Sequence, residues 1–231
     1  MTPSYRHALV IGAGAGLSAA LARRFAAGGL RVSLAARTTD DLRRLAEEAG
    51  ADLDAGDAAE RGQIAGLFAG LDAAGAPDVV VYNPSARVRG PLVELDPGAV
   101  EHAVQVTALG AFHAAQEAAR RMLPAGHGAI LLTGASAGVK GYAGSAPFAM
   151  GKFALRGLAQ SMARELHPKG IHVGHVVIDG MIRNPGREEP ADKPDSMLDP
   201  DSVAEAYWHL LAQDRSAWTW EVELRPWVES F

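Results

Sequence analysis

Short apolar runs of strand length alternate along the chain with longer stretches of helical periodicity. Residues 8–11, 31–35, 78–82 and 128–132 are near-continuous apolar runs, as strands covered on both faces require. Between them, residues 17–27 form an Ala/Leu-rich helix that ends at Gly28-Gly29. Residues 39–48 form a short surface helix closed at Gly50. Residues 58–74 place Ile64, Leu67, Phe68 and Leu71 on one helical face. Residues 51–57 read as a weak strand. Residues 97–123 predict the longest helix, apolar on more than one face and so buried against its own sheet and against a partner subunit. A helix over 145–166 follows, then a sixth strand within 172–182, a polar proline-rich segment over 183–200 and a last helix over 201–211. The aromatic tail holds a short final strand and three tryptophans, suited to docking on the molecule or on a neighbour. Strand and helix in alternation predict an α/β fold, a doubly wound parallel sheet of Rossmann type in three α/β/α layers. One domain over residues 1–231 accommodates all of it, with 183–200 as a lid over a substrate.

The first βαβ unit carries the candidate chemistry. Gly12, Gly14 and Gly16 lie between the first strand and the helix that starts at Leu17. Without side chains there, backbone N–H groups at a helix N-terminus can reach a pyrophosphate. The second strand ends in Arg37-Thr38 with no acid before Asp40, which favours a 2′-phosphate over a bare ribose and hence NADP(H). At the end of the weak strand, Asp54-Ala55 offers a carboxylate for an adenine amino group, whereas Asp57 serves equally as a helix cap. The turn Asn83-Pro84-Ser85 sits at a carboxyl strand edge, where ligands of such sheets bind.

Composition narrows the class without adding chemistry. The chain has 231 residues, a net charge of −5 and no cysteine, which leaves no thiolate nucleophile and fits a reducing, cytoplasmic compartment. No apolar run approaches a membrane span, the first residues lack a signal-peptide pattern, and the Arg pairs are helix-surface charges rather than a nucleic-acid stripe. His172 and His175, three apart on one strand, are a poor metal pair, and no metal site is expected.

In order and spacing these residues resemble the short-chain dehydrogenase/reductase family along nearly the whole chain. Its TGxxxGxG turn appears as residues 11–18, with Ser18 in place of the last glycine. Its NNAG turn looks like residues 82–85, its YxxxK pair falls on Phe148 and Lys152, and its PGxVxT segment falls on residues 179–184, which include Ile182. The resemblance implies hydride transfer between a nicotinamide and a small organic substrate, with Lys152 on the nicotinamide ribose, in a homodimer or homotetramer joined through the two long helices. It also implies departures. Phe148 stands where the family has its proton-donating tyrosine, Ala135 where it has serine with Ser136 one place on, and Thr107 where it has asparagine. Tyr142 is then the expected replacement donor, with Tyr82, Ser136 or an ordered water as alternatives, and Ser136 is expected to contact the substrate oxygen. A cofactor-binding sensor or assembly protein with little turnover is the alternative.

Overall fold

The computed structural model describes residues 5–229. Strands β1 (His7–Ile11), β2 (Arg31–Ala36), β3 (Asp52–Ala55), β4 (Val79–Tyr82), β5 (Gly128–Thr133), β6 (Ile171–Ile178) and a late strand Glu221–Leu224 form one parallel sheet. Its order is β3-β2-β1-β4-β5-β6 followed by the late strand. The order reverses between β1 and β4, which opens a crevice at their carboxyl ends.

Period-two alternation splits the core. Ala8 and Val10 of β1 and Val79 and Val81 of β4 face one layer, while Leu9, Ile11, Val80 and Tyr82 face the other. Helices α1 (Leu17–Ala27) and α2 (Arg43–Ala49) cover the first face. Helix α3 (Arg61–Asp72) covers the opposite face with Ile64, Leu67, Phe68 and Leu71, the four residues its periodicity singles out. The three-layer Rossmann-type architecture is therefore as the sequence predicts.

The helix expected over 97–123 is not one regular element. It comprises α4 (Pro97–Val104), a π-helical turn Gln105–Leu109 and α5 (Gly110–Met122). The wide turn has visible causes. Tyr82 donates its hydroxyl to the Val106 carbonyl at 2.5 Å, and Gln105 Nε2 donates to the Ala59 carbonyl at 3.0 Å. A side chain competing for a helix carbonyl, as Tyr82 does, favours such a bulge, and the Gln105 contact ties the wide turn to the loop before α3. The longest regular helix is α6 (Ala146–Leu166).

Beyond β6, the polar segment is tethered rather than free. A two-residue ladder joins β7 (Met181–Ile182) to β8 (Met197–Leu198), and Glu189 Oε1 accepts from the Met197 amide at 2.9 Å. Helix α7 (Pro200–Leu211) then returns to the α1 layer, and β9 (Glu221–Leu224) closes the sheet edge. The two buried histidines of β6 brace that edge. His172 pairs with the Thr219 carbonyl at 2.9 Å, and His175 Nδ1 with the Glu221 carboxylate at 3.0 Å. Trp218 stacks on His172, so this part of the tail docks on its own chain; the last two residues lie outside the described ones. Among the described residues no helix is long and apolar enough to cross a membrane.

Candidate active site

The glycine turn is fixed by its neighbours. Gly12 has φ +81°, and a Cβ there would lie 2.7 Å from Pro84 Cγ, so two independent constraints require glycine. The amides of Gly12 and Ala13 both donate to the Ala35 carbonyl, at 2.8 and 3.0 Å, which pulls the turn onto β2. The next amides, those of Gly14, Ala15, Gly16, Leu17 and Ser18, have no acceptor among the described residues. These are the open donors of a helix start, where anions bind. Around a Cβ at Gly14 nothing of the protein lies within 4 Å. Ser18 is buried and structural. Its hydroxyl donates to the Gly12 carbonyl at 2.9 Å and accepts from Asn83 Nδ2 at 2.8 Å, tying the turn to the end of β4.

A cavity of about 570 Å³ opens over this turn and runs along the end of β2. Arg37 and Thr38 line it; both are exposed, and among the described residues no partner engages the Arg37 guanidinium. Asp41 lines the same space. Asp54 and Ala55 do not. One Asp54 carboxylate oxygen is buried without a partner, and burial, then Asp52, pushes its pKa up. The lining there is Gly56, Asp57 and Ala58, so the structure brings Asp57 to the cavity in place of Asp54. Asp57 also holds the turn itself, accepting from the Ala59 amide at 2.9 Å.

A second cavity, of about 540 Å³, shares Asn83 and Ser85 with the first. Phe148 and Lys152 enter it from α6, one turn apart on the same face. Lys152 is 2 % exposed and donates to the Thr133 carbonyl at 2.6 Å, with no carboxylate against it. Burial, helped by repulsion from Arg87, lowers its pKa to about 7. Leu17, Ile182 and Asn184 complete the side nearest the glycine turn. Pro84 remains with the first cavity.

Three expected residues are not brought to this space. Ala135 lines the cavity and Ser136 does not; Ser136 begins a short 3₁₀ turn behind it. Tyr142 is 44 % exposed, outside the lining of both cavities, with Lys140 Nζ 5.7 Å from its ring centre. Thr107 is fully buried in the π-helical turn. It packs on Gly151 and accepts from the Ala86 amide at 3.2 Å, so it positions the loop after β4 and stays out of the cavity. Two hydroxyl side chains line the second cavity, and Thr133 spends its own on Tyr207 at 2.8 Å, which leaves Ser85.

Arg87 enters where the sequence pattern is silent. Its guanidinium carbon lies 4.5 Å from the centre of the Phe148 ring, and Lys152 Nζ lies 5.9 Å from the same ring. Such contacts contribute about 0.5–2 kcal/mol each. The only sequence signal for Arg87 is its place just after the Asn83-Pro84-Ser85 turn, and nothing in that spacing fixes the direction of the side chain.

Comparison with known proteins agrees with this geometry. The family model "short chain dehydrogenase" matches residues 6–194. A cyclic-di-GMP-binding biofilm dispersal mediator protein of Escherichia coli is 35 % identical over 176 residues, which is 75 % of this chain and 72 % of that protein. The D-erythrulose reductase of Gallus gallus is 32 % identical over 189 residues, 79 % of this chain and 74 % of that one. The crystal structure of a short-chain dehydrogenase from Rhodopseudomonas palustris superposes with a TM-score of 0.83 at 37 % identity, covering 97 % of this chain and 100 % of that chain. A metagenomic short-chain oxidoreductase in complex with NADP superposes at 0.85 and 28 % identity, covering 98 % and 99 %.

Proposed function

The chain belongs to the short-chain dehydrogenase family, and on that premise we propose that it is an NADP(H)-dependent oxidoreductase. It acts on a small carbonyl, imine or activated alkene, with a proton donor unlike the family's tyrosine. The observation that carries this reading is the row of amides from Gly14 to Ser18 without an acceptor among the described residues, its first members on the cavity that Arg37 borders and Gly16 and Leu17 on the one that holds Lys152. The NADP bound by the similar metagenomic oxidoreductase supports it. The nicotinamide coenzyme supplies the hydride chemistry when bound. The amides hold its pyrophosphate, Arg37 and Thr38 take the 2′-phosphate, Asp57 and Ala58 border the adenine, and Asn83, Ile182 and Asn184 border the nicotinamide half.

Lys152 has two tasks in this reading: it bonds the nicotinamide ribose, and it exchanges the proton that Phe148 cannot carry. An ammonium titrating near 7 is matched to general acid–base work at neutral pH. Ser85 is the hydroxyl placed to hold the substrate oxygen. Residues 183–200 cover the substrate through Arg183, Asn184 and Arg187. Leu109, Phe112, Met150 and Phe153, apolar and exposed on adjoining helices, support a homo-oligomer, which light scattering tests.

A second reading, a coenzyme-binding sensor or assembly protein with little turnover, is favoured by one observation: Phe148 and Ala135 present no hydroxyl to the cavity. The similar Escherichia coli protein is itself named for binding a nucleotide. Calorimetry with NADPH and NADH, followed by NADPH oxidation against ketones, imines and enones, separates the two. Turnover on any class supports the oxidoreductase; tight NADPH binding with no turnover supports the sensor. No heat with either coenzyme overturns both.

A further inference from the structure

The second cavity is charged in one sense only. Arg87, Lys152, Arg183 and Arg187 line it, and no aspartate or glutamate does. Arg183 is paired with Asp199 outside the lining, and Lys152 is held by the Thr133 carbonyl. Among the described residues Arg87 and Arg187 have no carboxylate partner, and the Arg87 guanidinium rests on the face of Phe148, a surface that offers its N–H groups no acceptor. Burial and the neighbouring charges of Arg89 and Arg187 both lower the Arg87 pKa, so these like charges stand close enough to oppose one another. A cationic lining in which two guanidinium groups lack a counter-ion among the described residues is complementary to an anion. In this reading the coenzyme's phosphates have other donors, the amides of the glycine turn, which borders both cavities, and the Arg37 guanidinium in the first.

We infer that the substrate carries an oxyanion, a carboxylate or a phosphate, bound by Arg87 and Arg187 beside Phe148. The inference rests on reading this cavity as the substrate side of an oxidoreductase. Phe148 occupies the position next to the reacting carbon in that reading, so the anionic group lies near the carbon that exchanges hydride. A guanidinium receives such a group through paired, parallel hydrogen bonds.

Matched probes test it on the full chain. Benzoylformate, laevulinate and 4-formylbenzoate, each against its methyl ester, are compared in NADPH oxidation, with phenyl phosphate as a competitor. The acids are expected to exceed their esters at least tenfold in kcat/KM. In Arg87→Gln and Arg187→Gln the acid-to-ester ratio falls towards one, while the Kd for NADPH stays within twofold. Competition by phenyl phosphate stronger than that of benzoate marks the oxyanion as a phosphate, and the reverse marks a carboxylate. Should no pair turn over, calorimetric titration of the same acids onto the NADP⁺-bound protein decides, and a tenfold loss in Arg87→Gln supports the inference. Esters that match the acids, an acid preference that survives both substitutions, or a tenfold loss of NADPH affinity in Arg87→Gln each overturn it. Failure of NADPH itself to bind would strike the coenzyme reading first, and acid titration onto the coenzyme-free protein would still decide for the arginines.

Discussion

Two cavities on one sheet edge meet at Asn83 and Ser85 and are built from different material. The one over the glycine turn offers main-chain amides, and the side chains around it serve mainly to hold that main chain in place. Ser18 illustrates this: its hydroxyl ties the turn to Asn83 and the amides stay open. The cavity over Phe148 and Lys152 offers side chains, so what it can do depends on which groups they carry. Phe148 and Ala135 bring no hydroxyl, and Thr107 works inside the packing. A site made of backbone geometry survives sequence change, because φ angles and a helix start are set by the fold. A site made of side-chain chemistry does not.

The largest effect expected is at the side-chain site. Lys152→Met should lower turnover about 10²- to 10⁴-fold, the usual contribution of a positioned acid or base. Steady-state rates over pH 6–9 check this, and an activity above a tenth of the parent would remove Lys152 from the proton path. The same variant has a stability signature independent of turnover. Burial holds the folded-state pKa of Lys152 near 7 against an ordinary value of 10.5, so between these limits the unfolded chain binds more protons. Stability therefore rises with pH from about 7 towards 10.5, by at most about 1.4 kcal/mol per pH unit from this one group, and this contribution levels off below about pH 7, where both states hold the proton. Thermal unfolding should show that slope in the parent and a flatter one in Lys152→Met. Equal slopes would mean that Lys152 keeps its charge in the folded chain.

At the backbone site, two glycines separate packing from ligand. Gly12→Ala places a Cβ 2.7 Å from Pro84 at φ +81°, and should cost about 1–3 kcal/mol of stability together with NADPH affinity. Gly14→Ala meets nothing of the protein within 4 Å, so stability should hold to within about 0.5 kcal/mol while NADPH binding weakens. Chemical denaturation and calorimetry on both variants read the two quantities apart. If Gly14→Ala leaves the Kd for NADPH unchanged, the ligand does not approach that turn.

Much of the fold was legible because it is written in periodicities. The ends of α1, the four buried residues of α3 and the apolar strand runs follow from spacing alone. The break at residues 105–109 was not, since it depends on Tyr82 and Gln105 reaching carbonyls from other elements, and tertiary hydrogen bonds leave no local pattern. The glycine turn was legible for the same reason as the strands. The second cavity was only half so. Lys152 follows from its place one turn after Phe148, but Asp57 replaces Asp54 because a strand end turns a neighbouring residue into the opening. Tyr142 and Ser136 were expected from nearness in sequence, whereas Arg87 arrives from a loop some sixty residues away. A one-dimensional reading cannot supply the direction in which a loop side chain points.

The smallest effect expected concerns Arg37. It stands exposed just past β2 with no partner among the described residues, so its guanidinium can meet a 2′-phosphate, but water screens the attraction. Asp41 borders the same cavity and opposes part of it. A charge-assisted pair to an exposed arginine is therefore expected to contribute about 1.4 kcal/mol, a tenfold ratio of affinities. Arg37→Ala should weaken NADPH binding about tenfold and leave NADH within twofold, and the difference should shrink as salt is raised. Asp41→Asn should move the ratio the other way by a smaller amount, because it removes a like charge without adding a donor that pairs with both phosphate oxygens. If Arg37→Ala weakens both coenzymes equally, the guanidinium acts on the shared adenosine and not on the extra phosphate. The preference for NADP(H) would then have to come from Thr38 or from the amides of the turn.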